Sequence, residues 1–202
     1  VWQSQPVSTL ITAPSVEPLT LAEAKVYLRV DSTSENSLMT GMIVAARQYV
    51  ETYTRRALTT QTWDFRYAAL METRRPLIVP RAPLQSVTSV TYLDDDGATQ
   101  TFSSADYTVR VFAGPTAGRG YVELDEDISL PSLFTDALLP VTVRAVCGYG
   151  AAAAVPDGLK MAMYLLLGDL YEQRQETMTS TSSSTKTTTE RLMAPYRLLE
   201  VP

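Results

Sequence analysis

Apolar residues along this chain change their spacing twice, from every three or four positions to every second position and back again. The first helical stretch is announced by Thr20 and Glu23, a capping box in which hydroxyl and carboxylate each satisfy an orphan backbone N–H. A helix over Leu21 to Val30 is predicted, ended by Asp31-Ser32-Thr33-Ser34. From Glu35 to Arg56 the residues Leu38, Met42, Ala45, Tyr49 and Tyr53 recur at helical spacing. Met39, Ile43, Ala46 and Val50 widen that stripe. Such a helix is about 33 Å long, with Glu35 at its start and Arg55-Arg56 at its end complementing the macrodipole. The stripe reads as a core face, and its width leaves part of it to seal a subunit interface, with Met39, Ile43, Arg47 and Val50 as the candidates.

The period then shortens to two. Trp63, Phe65 and Tyr67 alternate with Thr62, Asp64 and Arg66, which predicts a strand with an aromatic face and a wet one. Further strands are expected at Leu77–Val79, Val87–Leu93, Tyr107–Val111, Tyr121–Leu124 and Val141–Cys147. Asp94-Asp95-Asp96-Gly97 before Thr99-Gln100-Thr101-Phe102 reads as a hairpin turn, because glycine supplies the positive φ. The glycine-rich run from Gly114 to Gly120 lacks the Gly-Lys-Ser/Thr of a phosphate loop and is expected to be a plain loop.

Helical spacing returns after Gly148-Tyr149-Gly150 and an alanine run. Val155-Pro156-Asp157 opens a third helix through about Arg174, with proline at or near its first turn. Leu159, Met163, Leu166 and Leu170 form one stripe, and Met161, Tyr164, Leu165 and Leu167 cover neighbouring faces. A helix apolar nearly all round is a buried one, and Leu166 and Leu170 are expected to pack on the second helix. Residues 177–189 are almost entirely Ser and Thr, too polar to fold alone, and read as a linker. Beyond it, 190–202 regains apolar character, with Pro195 preventing an uninterrupted helix. Leu192, Met193, Tyr196, Arg197, Leu198 and Leu199 are the candidates for docking on another chain. At the other end, residues 1–18 hold Pro6, Pro14 and Pro18 and read as an extended arm. The fold class is α+β: a helical core (20–57 and 156–174) with a β-rich insertion (61–147), together a domain over 19–176, and extended terminal arms.

Composition narrows the chemistry. The 202 residues include no histidine and one cysteine, which excludes His-based acid–base catalysis, Ser-His-Asp and Cys-His triads and the common zinc sites within one chain. Cys147, in a strand-like run, reads as a small core residue, and no disulfide framework exists. A metal site has to be all-oxygen, and the acidic turn at Asp94–Asp96 lacks the distal glutamate of a calcium loop. No metal, cofactor or catalytic residue is expected. The alternative class is a carboxylate hydrolase using Asp94, Asp96, Asp125 and Asp127, residues that read better as solvated charge. A formal net charge of −5 argues against a surface that neutralises phosphates, and the pairs Arg55-Arg56 and Arg74-Arg75 are too isolated to overturn it. No apolar run is long enough to span a bilayer, and Val1 to Pro6 lack the basic-then-apolar pattern of a signal peptide.

In their joint order, several segments resemble the head-tail connector (adaptor) family of tailed bacteriophages and gene transfer agents, in its β-inserted form. They are Glu17-Pro18-Leu19-Thr20-Leu21-Ala22-Glu23-Ala24-Lys25, Leu28-Arg29-Val30-Asp31, Ala45-Ala46-Arg47 with Val50-Glu51, and Arg56-Ala57-Leu58 with Gln61-Thr62-Trp63. Pro83-Leu84-Gln85-Ser86-Val87 with Val90-Thr91-Tyr92, Gly148-Tyr149-Gly150 with Val155-Pro156, and the closing Ala194-Pro195-Tyr196-Arg197 complete the set. The resemblance implies a structural virion protein without enzymatic activity. Its expected form is a dodecameric ring at the head-tail junction, assembled in the host cytoplasm. The portal protein lies above that ring and a stopper or tail-completion protein below, with the terminal segments clamped on the portal. DNA passes through the lumen without specific binding, and no membrane is involved. Another ring protein of the neck is the alternative within the same class.

Overall fold

The computed structural model describes residues 6–68, 76–172 and 182–199. Two compact units emerge: a helical one from Pro14–Thr59 and Tyr149–Leu199, and a β unit from the residues up to Ala13 with Thr60–Gly148.

In the helical unit, α1 spans Leu21–Leu28. Its start is the expected capping box: Glu23 N–H donates to Thr20 Oγ1 at 3.2 Å and Thr20 N–H to Glu23 Oε2 at 2.8 Å. The Thr20 N–H, and with it the Thr20 hydroxyl donating to the same oxygen at 2.7 Å, hold the Glu23 carboxyl below its ordinary range. The helix stops short of Val30 because Arg29 turns left-handed, at φ 56°, and its N–H closes on the last carbonyls. Helix α2, Asn36–Thr54, ends the same way at Arg55, φ 59°. It buries Met39, Ile43, Ala46, Arg47, Val50, Glu51 and Thr54, a stripe stepped by three and four.

Helix α3 runs Asp157–Glu172 behind Pro156, and the alanine run before it is a short 3-10 turn, Ala152–Ala154. The buried residues of α3 are Leu159, Ala162, Met163 and Leu167. Leu166 is partly buried and packs against the core that includes Ile43, Ala46 and Val50, whereas Leu170, expected beside it on α2, is 40% exposed. A helix apolar on nearly every face does not reveal its own rotation, so small residues decide it. Ala162 lies inside, and a Cβ at Gly168 would sit 3.6 Å from the Tyr27 ring, which stacks 4.9 Å from Tyr164.

The Ser/Thr tract is not wholly a linker. Ser182–Met193 form a fourth helix, α4, followed by a 3-10 turn at Ala194–Tyr196 where Pro195 stops the α-helical ladder. Its low intrinsic propensity is overridden by packing on α2 and α3. Thr189 and Met193 are buried, and Leu192 and Tyr196 lie against the core formed by Leu19, Ile43, Val50, Leu159, Met163 and Leu167. Residues 177–181 of the expected linker lie outside the described residues, as do Arg74-Arg75.

The β unit contains a five-stranded antiparallel sheet, β1 (Val7–Thr12), β2 (Gln61–Tyr67), β8 (Val141–Cys147), β4 (Leu84–Leu93) and β5 (Thr99–Thr101), in that order. A second, three-stranded sheet has the order β3 (Leu77–Ile78), β7 (Tyr121–Leu124), β6 (Tyr107–Arg110). The extended N-terminal arm is therefore, over Val7–Thr12, the edge strand of the chain's own sheet. The β2–β8 register runs unbroken from Gln61↔Cys147 to Tyr67↔Val141. Phe65, Tyr67, Val141, Val143, Ala145 and Cys147 are buried. Trp63 is half-buried, stacked on Phe65 with the Arg81 guanidinium 4.5 Å from its ring centroid.

Asp64, expected on the wet face, is buried. Flanked in register by Thr9 and Arg144, its carboxylate takes both arms of the Arg144 guanidinium, at 2.7 and 2.8 Å. The Asp94–Gly97 turn is as expected, with Gly97 at φ 77°. Gly120 closes a tighter spot: a Cβ there would collide with a Leu84 methyl and stand 2.8 Å from the Arg110 carbonyl oxygen.

Candidate functional site

The four residues expected to seal a subunit contact lie inside one protomer. Met39, Ile43 and Val50 are buried, and Arg47 sits in an ion network. Its Nε donates to Glu17 Oε2 at 2.7 Å and its Nη1 to Glu51 Oε2 at 2.8 Å, while Glu51 Oε1 accepts the Leu58 N–H at 2.9 Å. The network ties the residues entering α1 and those leaving α2 to the middle of α2. What α2 leaves open is a different face, Leu38 and Tyr49.

The C-terminal segment is likewise seated on its own chain. Met193 is fully buried, Leu192 and Tyr196 are partly so, and the Tyr196 hydroxyl would lie 3.1 Å from a Cβ at Gly158 on the first turn of α3. Arg56, just past α2, is 1% exposed and donates from Nε to the Tyr196 carbonyl. Burial pushes the Arg56 pKa down, and the neighbouring Tyr149 opposes the shift; the same burial pushes Tyr149 up. Leu198 N–H donates to the Thr54 carbonyl at 3.0 Å, which caps the end of α2, and the Arg197 guanidinium lies 5.2 Å from the Tyr53 ring centroid. Of the six docking candidates, Leu192, Met193 and Tyr196 are therefore packed in cis, Leu198 is half-buried, and Arg197 and Leu199 face outward, Leu199 at 76%.

Arg56 is the residue that sequence reading misplaced. In the string it is one of two arginines closing a helix, and only the fold shows it to be the buried anchor of a segment 140 positions later. The adjacent Gly148-Tyr149-Gly150 run is the one sequence signal near this site. Both glycines take positive φ, 126° and 107°, a backbone region that residues with a Cβ rarely adopt.

Two acidic residues of the hydrolase alternative, Asp94 and Asp125, have structural employment. Asp94 Oδ1 accepts from Asp96 N–H and Ala98 N–H, and Oδ2 from Gln100 Nε2 at 2.7 Å. The Gln100 bond foremost holds that carboxyl below its ordinary range. Asp125 Oδ1 accepts the Glu126 N–H. Among the described residues no three His, Cys, Asp or Glu side chains gather closely enough to hold a metal ion. No helix among them is long and apolar enough to cross a membrane.

Comparison with known proteins bears on this arrangement. Residues 18–92 match the family model described as phage gp6-like head-tail connector protein. No curated protein matches the chain in sequence. Among solved structures, a chain in the neck of an empty GTA particle computed with C6 symmetry is 21% identical, with a TM-score of 0.77 over 97% of each chain. A chain of the virion of a native gene transfer agent (GTA) particle gives 0.74 at 21% identity, covering 96% of this chain and 97% of that one. A chain in the neck of a native GTA particle computed with C12 symmetry gives 0.70 at 20% identity over 97% of both. At such identities the likeness is one of fold, covering nearly all of this chain, while the match to the phage gp6-like head-tail connector model extends over residues 18–92.

Proposed function

We propose that this chain is a structural head-tail connector, one protomer of a ring in the neck of a phage-like particle that joins the head to the tail and lets DNA pass. The observation that carries this reading is the coincidence of the connector sequence over residues 18–92 with near-complete structural coverage of a neck chain. Such a protein works by holding surfaces in place, and its side chains suit that role. Buried ion pairs fix the helices, and the Asp94 carboxylate is spent on the backbone N–H groups of its own turn.

Twelve copies under a portal, with a stopper or tail-completion protein on the other side, is the assembly we infer. The net charge of −5 suits a lumen that repels phosphate and lets the genome slide. Contacts with the portal fall to what the C-terminal segment leaves outward, Arg197 and Leu199, and contacts between copies to faces exposed in the single chain, such as Leu38 and Tyr49.

Particles made without this protein test the reading. They are expected to package DNA and then lose it, or to fail to join tails. Mutant particles with full genomes and normal tails overturn it.

A further inference from the structure

The five-stranded sheet has two outer edges, and among the described residues both are open in the same way. Among the described residues strand β1 bonds only to β2, and all six of its residues are exposed, including Val7, Leu10 and Ile11. Strand β5 likewise pairs with β4 alone and is exposed at all three residues. An open strand edge presents a row of backbone N–H and C=O groups whose natural partner is another strand, and soluble proteins guard such edges with charge. Neither edge here carries any. No charged residue occurs from Val7 to Val16, nor from Gly97 to Ala105, whereas the inner strands β2 and β8 bear Asp64, Arg66 and Arg144. Of the two edge strands of the smaller sheet, β3 and β6, the latter differs in carrying Arg110, which pairs with Glu123.

The two bare edges are also compatible in direction. Each neighbouring pair from β1 through β2, β8 and β4 to β5 is antiparallel, so the direction reverses four times and β1 and β5 point the same way. Copies arranged by rotation about one axis need two different, complementary surfaces on each chain. One sheet with two like-directed, uncharged edges provides that pair. Pro6 and Pro14 together with the irregularity between Leu10 and Thr12 limit the pairing length on the β1 side, which keeps the contact to a single short register.

We propose, on the ring reading given above, that β1 of one copy adds in parallel to β5 of the next, so that the sheets join head to tail around the ring. The occupant of each open edge is thus a second copy of this chain, held by main-chain hydrogen bonds.

Engineered cysteines test the contact, since Cys147, the native thiol, is buried. Thr9→Cys is combined in one chain with Thr99→Cys or Thr101→Cys and oxidised at a concentration where the wild-type chain sediments as a ring. A ladder of disulfide-linked multimers on a non-reducing gel is expected from a double variant, and monomer alone from each single one. Rings that sediment normally yet give no ladder with either pair overturn the proposal and leave the ring reading standing. So do covalent dimers from Thr9→Cys alone, which put β1 against β1. A wild-type chain that never forms rings, in solution or in particles, overturns both. Leu10→Lys supplies a second measurement: a variant with wild-type melting that loses the ring is expected, and one that keeps it counts against the edge contact.

Discussion

The rotation of α3 about its axis is the structural feature that a single pair of substitutions tests most sharply. Leu167 is fully buried and Leu170, three residues on, is 40% exposed, although both belong to apolar stripes of the same helix. Leu→Ala removes three carbons. At about 0.8 kcal/mol per buried carbon the transfer loss at Leu167 is about 2.4 kcal/mol, and the cavity left among Leu159, Met163 and their neighbours raises it to roughly 3–5 kcal/mol. At Leu170 much of the side chain already meets water and no closed cavity forms, so about 1 kcal/mol is expected. For a chain of this length each kcal/mol moves the midpoint by roughly 2–4 °C, giving shifts of about 6–20 °C for Leu167→Ala and about 2–4 °C for Leu170→Ala. Far-UV circular dichroism melts at low protein concentration, checked by urea titration, read the difference. Equal shifts, or a larger one at Leu170, would show that α3 presents the other stripe to the core and would refute this packing.

Three further outcomes are expected. Arg47→Met takes the guanidinium away from the buried Glu51 and the half-buried Glu17 and should destabilise by about 3–5 kcal/mol, with Glu51→Gln added to it restoring part of the loss in urea titrations; no recovery in the double variant refutes the network. Burial pushes the Cys147 thiol up to about 12 from 9.0, so above pH 9 the unfolded chain sheds a proton that the folded one keeps, and stability present below pH 9 is lost as pH rises toward 12. Cys147→Ala should flatten that part of the pH–stability curve, and the wild-type thiol should resist Ellman's reagent until the protein unfolds. Gly120→Ala, whose new methyl meets Leu84 and the Arg110 carbonyl, should lower stability by about 1–3 kcal/mol in the same titrations, whereas Gly118→Ala, with open space around it, should change little.

Local signals carried much of this fold. The capping box at Thr20 and Glu23, the glycine in the Asp94–Gly97 turn and the alternation along Gln61–Tyr67 each act over a few residues, and each appears where the string puts it. The order of segments carried the connector resemblance, because that order survives where single motifs are weak. Composition also disposed of histidine chemistry, which no arrangement of this chain in space could restore.

What the string left open needed partners distant along the chain. Periodicity marks Met39, Ile43 and Val50 as apolar without saying whether they face their own protomer or another, and only their burial against neighbouring elements settles that they face inward. Asp64 looked wet because alternation counts polarity, yet Arg144, eighty positions away, pairs with it across the sheet. Ser182–Thr189 looked like a linker because helix propensity is summed locally, whereas Met193 and Tyr196 anchor the helix on residues over a hundred positions earlier. Arg56 could not declare itself the anchor of the C-terminal segment, since a hydrogen bond to a backbone carbonyl leaves no mark on the residue type that accepts it. Most of the elements and their order were thus written in the amino acids alone. Which faces were spent inside the chain and which strands were left at a sheet edge waited on the folded molecule, because burial is a property of pairs brought together by the whole fold.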